Sequence, residues 1–98
     1  MEGQGVPPDY KQALYYHRKA ADQGMNVSQF SLGIMYAYGK GVPRDYVEAY
    51  KWFEITALSD VNEGGRKQAI KWRDILAELM TSAQIAKAQK HAREWKPK

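Results

Sequence analysis

The chain has 98 residues, of which 44% are hydrophobic and 27% are charged, a composition typical of one small globular domain rather than a disordered tail. No window approaches the ~20 apolar residues that a membrane-spanning helix needs, and the lack of cysteine excludes disulfides, thiolate nucleophiles and cysteine–metal sites. The net charge is +4, which makes an anionic partner one of the functions to be weighed.

The beginning of the chain is repeated thirty-six residues later. Residues 3–10 and residues 39–46 are identical at six of eight positions. The same shift places Ala13 on Ala49, Tyr16 on Trp52, Ala21 on Ala57 and Asn26 on Asn62. Each copy opens with a Gly-x-Gly-Val-Pro stretch, which cannot continue a helix and is therefore a connector. A period of about 20 to 50 residues indicates stacked supersecondary units.

Five helices are predicted in chain order, with no strand pattern between them. Asp9, Asp45 and Thr81 stand at N-cap positions, each followed three residues later by a glutamine or glutamate that can complete a capping box. Gly24 supplies a stop for the first helix. The predicted helices run from Asp9 to just before Gly24, from about Asn26 to Tyr38, from Asp45 to about Asp60, from about Asn62 to Leu79, and from about Ser82 to Trp95.

The second helix carries two apolar stripes on roughly opposite sides. One consists of Ser28, Leu32, Met35 and Tyr36, and the other of Val27, Phe30, Ile34 and Tyr38. Such a helix must be covered on two sides, as the middle of a stacked array requires. Gly33 within it costs ~1 kcal/mol of helix propensity relative to alanine, and we expect the close approach of another helix to compensate.

These motifs resemble a known repeat. Leu32-Gly33-x-x-Tyr36 fits the tetratricopeptide signature, but the period is too long for that family. The run from Ser28 through Gly39-x-Gly41-Val42-x-x-Asp45 to Ala49-x-x-Trp52 and Ala57 closely resembles the Sel-one-like repeat, a longer relative of the tetratricopeptide unit. The resemblance covers about residues 3–61, and it departs from the usual pattern at Ser28, Thr56 and Asp60, the last standing where glycine is usual. It implies an all-α fold, a right-handed α-solenoid of antiparallel helix pairs with about five helices, and a scaffolding role in bacteria.

The repeat also suggests how the chain is divided. We expect a single repeat domain over 1–98, with a half repeat at 3–24, a full repeat at 25–61, and a degenerate repeat with a C-terminal capping helix at 62–98. Because the chain opens in mid-repeat, we expect the C-terminal fragment of a bacterial member, without any signal sequence, so that cytoplasm and periplasm both stay open. Apolar surface at the truncated end could promote dimers.

Nothing in the sequence supports catalysis. His17 and His91 are the only histidines, and they lack the spacing that places two metal ligands on one helix face. No nucleophile elbow, phosphate-binding loop or pair of catalytic carboxylates is present. We therefore expect no catalytic residue, no metal and no cofactor. A regulatory fragment of an enzyme whose catalytic domain lies upstream is a further alternative.

The aromatic residues divide into core and surface. Tyr16, Tyr36, Trp52 and Trp72 fall on apolar stripes and are predicted to be core, whereas Tyr15, Tyr38 and Tyr50 fit the stripes less well and are candidate contacts. The leading hypothesis is a non-catalytic scaffold that binds a peptide or partner protein on its concave surface. Its predicted contact residues are Asn26, Gln29, Phe30, Ile34 and Tyr38.

The last helix carries the alternative function. Lys87, Lys90, His91 and Glu94 share one predicted face, opposite Ile85, Ala88, Ala92 and Trp95. A solvated surface explains this face better than nucleic acid does. The alternative is an anion-binding surface for nucleic acid or acidic membrane between Lys87 and Lys98.

Overall fold

A computed structural model describes residues 9–60 and 62–98, and within these ranges it contains five helices and no strand. The helices are α1 (Tyr10–Asp22), α2 (Asn26–Tyr38), α3 (Tyr46–Ser59), α4 (Glu63–Ala77) and α5 (Ser82–Glu94). The prediction of an all-α fold with five helices is confirmed. The first connector, residues 3–8, lies outside the described residues.

Side-chain caps fix where the helices begin. The carboxylate of Asp9 accepts the backbone N–H of Gln12 at 3.0 Å, and that of Asp45 accepts the N–H of Glu48 at 3.1 Å. These bonds satisfy donors that a helix leaves free in its first turn. At the start of α5 the predicted capping box is complete, with Thr81 and Gln84 exchanging both hydrogen bonds. The three predicted N-caps are therefore confirmed.

Two glycines form the connector that follows α2. Gly39 ends α2 in the left-handed conformation at a φ of 69°. Gly41 follows at a φ of 76°, and a Cβ atom there would lie 2.7 Å from the carbonyl oxygen of Tyr10. This second connector consequently packs against the start of α1, where a side chain would not fit. Helix α4 ends at Ala77, two residues before its predicted end at Leu79.

The helices stack so that α3 lies at the centre. It packs against α2, α4 and α5, while α1 packs against the other side of α2. Helix α2 thus has neighbours on two sides, but the second predicted stripe is only partly covered, since Val27 is 77% and Tyr38 is 56% exposed. By contrast, α2 and α4 touch only over a short stretch. The result is an all-α repeat solenoid with an open face between α2 and α4.

A close approach between α2 and α3 forms the middle of the core. Gly33 is buried, and a Cβ atom built on it would lie 2.5 Å from Cε1 of Phe53. The ring of Phe53 is stacked on Trp72 of α4 at 6.2 Å between centroids, and it packs against Phe30 at 5.4 Å. The compensation expected for a glycine inside α2 is therefore present, because its missing side chain makes room for a phenyl ring.

The aromatic predictions are partly confirmed. Tyr36 and Trp52 are buried, but Tyr16, which was predicted to be core, is 60% exposed. Ala21 is the fully buried residue of α1, because this helix packs mainly on α2 and turns Tyr16 to the surface. Tyr50, which was predicted to be a candidate contact at the surface, is instead buried. It is only 5% exposed because α5 covers α3, and the side-chain amide of Gln89 donates to its hydroxyl at 3.3 Å.

Candidate protein-binding groove

The open face between α2 and α4 is a groove whose floor is the C-terminal end of α3. A cavity of about 210 Å³ lies in it. Its lining residues are Asn26, Val27, Phe30, Ser31, Thr56, Asp60, Gly65 and Gln68. Toward the loop between α1 and α2 it continues into a shallower depression that adds Gly24, Met25 and Asn62. We call the cavity and this depression together the α2–α4 groove.

A buried polar network joins the α2 side of the groove to its floor on α3. Gln29 is fully buried, and its amide nitrogen donates to the carbonyl oxygen of Ala21 at 3.2 Å. Its amide oxygen accepts hydrogen bonds from Asn26 at 2.9 Å and from Thr56 at 3.4 Å. Asn26 also donates to the hydroxyl of Ser59 at 2.9 Å. A single side chain therefore ties together the end of α1, the start of α2 and the end of α3.

Apolar side chains stand at the surface along α2. Val27 is 77% exposed at the mouth of the cavity, and Phe30 forms its inner wall while packing against Phe53. At the other end of the helix, the ring of Tyr38 meets Trp72 of α4 edge-to-face at 5.9 Å, and it remains 56% exposed. Exposed apolar and aromatic groups beside a concavity are typical of binding surfaces.

One carboxylate marks the edge of the groove. Asp60 is the C-cap of α3, and its Oδ1 atom accepts the backbone N–H of Asn62 at 2.9 Å. Its Oδ2 atom lies where a Cβ atom at Gly65 would collide with it. Helix α4 is fixed to α3 on the other side by an ion pair between Arg73 and Glu54 at 2.9 Å. The carboxylate is therefore held at a defined place between two fixed helices.

Comparison with known proteins identifies the repeat. The family model described as Sel1 repeat matches residues 1–25 and again residues 26–61. The chain belongs to the Sel1 repeat family. Sel1 repeat proteins serve as protein-interaction scaffolds and are generally non-catalytic. The prediction made from the Gly-x-Gly-Val-Pro connectors and the helix motifs is confirmed.

A solved structure shows the same architecture. The crystal structure of c5321, a protective antigen present in uropathogenic Escherichia coli strains and displaying an SLR fold, superimposes with a TM-score of 0.82 at 37% identity. The superposition covers 96% of this chain and 19% of that chain. The Sel1 repeat solenoid therefore extends over nearly the whole chain, including α4 and α5, which lie beyond the two family-model matches.

Curated relatives share a shorter region. An uncharacterized protein of Neisseria meningitidis serogroup B is 46% identical over 53 residues, which is 54% of this chain and 11% of that protein. The yeast chitin synthase regulator SKT5 is 39% identical over 49 residues, 50% of this chain and 7% of its own length. The rat DAP3-binding cell death enhancer 1 is 42% identical over 41 residues, 42% of this chain and 8% of its own length. The shared region is a small part of each relative.

The five predicted contact residues of the Sel1 repeat occupy different positions. Asn26 and Phe30 line the cavity, whereas Tyr38 is exposed at the C-terminal end of α2, outside the groove lining. Ile34 lines a neighbouring depression between α1 and α2, which it shares with Phe30. Gln29 is fully buried, so its side chain organises the groove and offers no surface to a partner. The structure thus brings two of the five together at the cavity.

Several lining residues were not among those predicted. Val27 belongs to the same apolar stripe as Phe30, and its place at the start of α2 is the signal that could have included it. Gly65 and Gln68 reach the groove only because α4 lies beside α2. Asp60 was visible in the sequence as a departure from the usual glycine, but its position facing a cavity depends on the fold.

Neither a membrane span nor a metal site is found in the described ranges. None of their helices is both long enough and apolar enough to cross a membrane. Among residues 9–60 and 62–98, no three histidine, aspartate or glutamate side chains come together in a way that could hold a metal ion.

Proposed function

We propose that this chain is a non-catalytic interaction module that binds a short segment of a partner protein in the α2–α4 groove. The observation that carries the proposal is the apolar cavity between two helices that α3 holds apart. Of its lining, Val27 and Phe30 supply the apolar surface, and backbone and amide groups at the rim supply hydrogen-bonding capacity. An apolar centre with a polar rim is the ordinary composition of a protein-binding surface.

The shape of the α2–α4 groove, a small cavity beside an open depression, suits a peptide better than a small-molecule cofactor. The cavity is about 210 Å³ and opens into a depression of about 580 Å³, whereas sites for drug-sized ligands and cofactors bury most of the ligand surface. A cavity of this volume suits one large apolar side chain, with the peptide backbone running along α2. Binding of a peptide by anchor residues in a groove between helices is a common recognition mode.

The relatives support a role in contacts between proteins. One is named for regulating chitin synthase and another for binding DAP3. These names describe proteins of which the shared region is 7% and 8% of the length. They support an interaction role for the Sel1 repeats of this chain, but they do not identify its partner.

A selection followed by a matched pair of variants tests the proposal. Short random peptides displayed on phage are selected on the immobilised 98-residue chain, and the enriched peptides are synthesised for affinity measurement. Val27→Lys fills the mouth of the cavity with a charged chain. Leu79→Lys makes the same kind of change at another exposed aliphatic residue, which is not part of the groove lining. Lysine has a higher helix propensity than valine, so Val27→Lys is expected to fold.

The two variants should differ in binding. We expect Val27→Lys to weaken binding at least about tenfold, which corresponds to ~1.4 kcal/mol, while Leu79→Lys binds as the original chain does. Equal loss in both variants, or no loss in either, would place the binding surface elsewhere. Failure to enrich any peptide would contradict peptide binding itself.

A further inference from the structure

Asp60 is a feature of the second repeat that the first repeat does not have. The thirty-six-residue shift places Asp60 on Gly24. Gly24 turns the chain after α1 at a φ of 96°, whereas Asp60 has an extended conformation, with a φ of −75° and a ψ of 119°. This chain therefore carries a carboxylate at a position where the other copy of the turn carries no side chain.

The carboxylate faces the groove and has acceptor capacity left. Asp60 lines both the cavity and the depression beside it. A carboxylate offers about four acceptor positions, and the N–H of Asn62 occupies one on Oδ1. Because Gly65 has no side chain, Oδ2 can lie against the first turn of α4 beside the cavity. A cationic group bound in the groove would find an ordered acceptor there.

The charges around Asp60 favour a cation. Of the described residues that line the cavity and the depression, Asp60 is the one with a charged side chain. The C-terminal end of α3 and the N-terminal end of α4 both lie at Asp60 and bring partial charges of opposite sign, so the full negative charge there is that of the carboxylate. The groove therefore combines an apolar wall with a negative edge, although the chain as a whole has a net charge of +4.

We infer that the partner segment carries a lysine or arginine next to the apolar side chain that enters the cavity. This inference rests on the proposed function, because it specifies the ligand of the same groove. The apolar residue would pack against Val27 and Phe30, and the cation would pair with Asp60. Arginine is the better partner of the two, since its planar guanidinium can bond a carboxylate through two N–H groups.

The test uses two substitutions that remove the same charge. Asp60→Asn keeps an oxygen that can accept the N–H of Asn62 but removes the negative charge. Asp74→Asn does the same to an exposed carboxylate of α4 outside the groove lining, so it controls for the change in net charge. Random peptides are selected on the original chain, and the affinities of the enriched peptides are then measured for both variants at low and high salt.

We expect the enriched peptides to carry an apolar residue next to arginine or lysine. Asp60→Asn should weaken their binding about two- to fivefold, and Asp74→Asn should leave it unchanged. Higher salt should weaken binding to the original chain more than binding to Asp60→Asn. Salt screens the ion pair between Asp60 and the peptide, and the variant does not have this pair.

Two results would overturn the inference, and they can be told apart from failure of the proposed function. Peptides without a basic residue, or peptides that bind Asp60→Asn as tightly as the original chain, would show that the cation is not selected. If those peptides still lose affinity with Val27→Lys, the groove binds peptides by apolar contact alone. If no peptide is enriched at all, both proposals are wrong.

Discussion

Replacing Gly33 with alanine probes the closest approach between helices in the solenoid. The added Cβ atom would lie 2.5 Å from Cε1 of Phe53 and 2.8 Å from both Cδ1 and Cζ, whereas carbon atoms in good contact are about 3.5–4.0 Å apart. The ring cannot easily retreat, because Phe53 is fully buried between Phe30 and Trp72. The substitution therefore forces α2 and α3 apart or turns the ring out of its preferred position.

Two opposing terms set the size of the effect. Overpacking a core typically costs ~1–3 kcal/mol, and alanine in place of glycine gains ~1 kcal/mol of helix propensity. We expect a net loss of roughly 1 kcal/mol in the free energy of unfolding, equivalent to a fall in Tm of about 4–8 °C for a domain of this size. Leucine at the same position should cost more, because it adds a whole side chain to the same contact.

Urea unfolding followed by circular dichroism measures this loss. Gly64→Ala in α4 is the matched control, because its added Cβ atom would meet the side-chain oxygen of Asn62 at 3.3 Å and no buried ring, so it should cost less than Gly33→Ala. In a Phe53→Leu background, which shortens the opposing ring, Gly33→Ala should become milder by about 0.5 kcal/mol or more. A Gly33→Ala protein as stable as the original chain would refute the close approach.

Three further outcomes are expected. Gln29→Leu should destabilise the fold by ~1–3 kcal/mol in urea unfolding, because it removes the acceptor of the buried Thr56 hydroxyl and one of the two hydrogen bonds to the Ala21 carbonyl. An unchanged midpoint would mean that the network is dispensable. Burial raises the pKa of Tyr36 above 10.0, so the folded chain keeps a proton that the unfolded chain releases, and stability should fall as the pH rises through that value. Tm measured against pH should fall less steeply in Tyr36→Phe, and identical slopes would contradict this. Labelled nucleic acid should show no binding at low salt, because the basic groups between Lys87 and Lys98 form a solvated face; binding that weakens with salt would instead support the anion-binding alternative.

The helices could be predicted because their signals are local. Asp9, Asp45 and Thr81 cap the first turns that follow them, so the starts of α1, α3 and α5 depend on a few neighbouring residues. The repeat added the order of the units, since two copies of one motif indicate two helical units in succession. Gly33 is informative in the same way, because a costly residue inside a helix predicts a contact that requires it.

The surface could be predicted less well because it depends on which helices meet. Tyr50 is buried by α5. Its hydrogen-bond partner in that helix, Gln89, lies 39 residues further along the chain. Tyr16 is exposed because α1 packs mainly on α2, although its spacing resembles that of Trp52 in the next unit. Gln29 was predicted to be a surface contact. It is buried because the end of α1, the start of α2 and the end of α3 come together around it.

The position of the bound peptide is the most direct test of the account. Backbone amide chemical shifts of the isotope-labelled chain are recorded by NMR as the enriched peptide is added. We predict changes concentrated in residues 26–31 of α2 and in residues 60–68, which include the start of α4, with the largest near Asp60 and Val27. Changes concentrated instead on the basic face of α5 would contradict the assignment of the α2–α4 groove as the binding site.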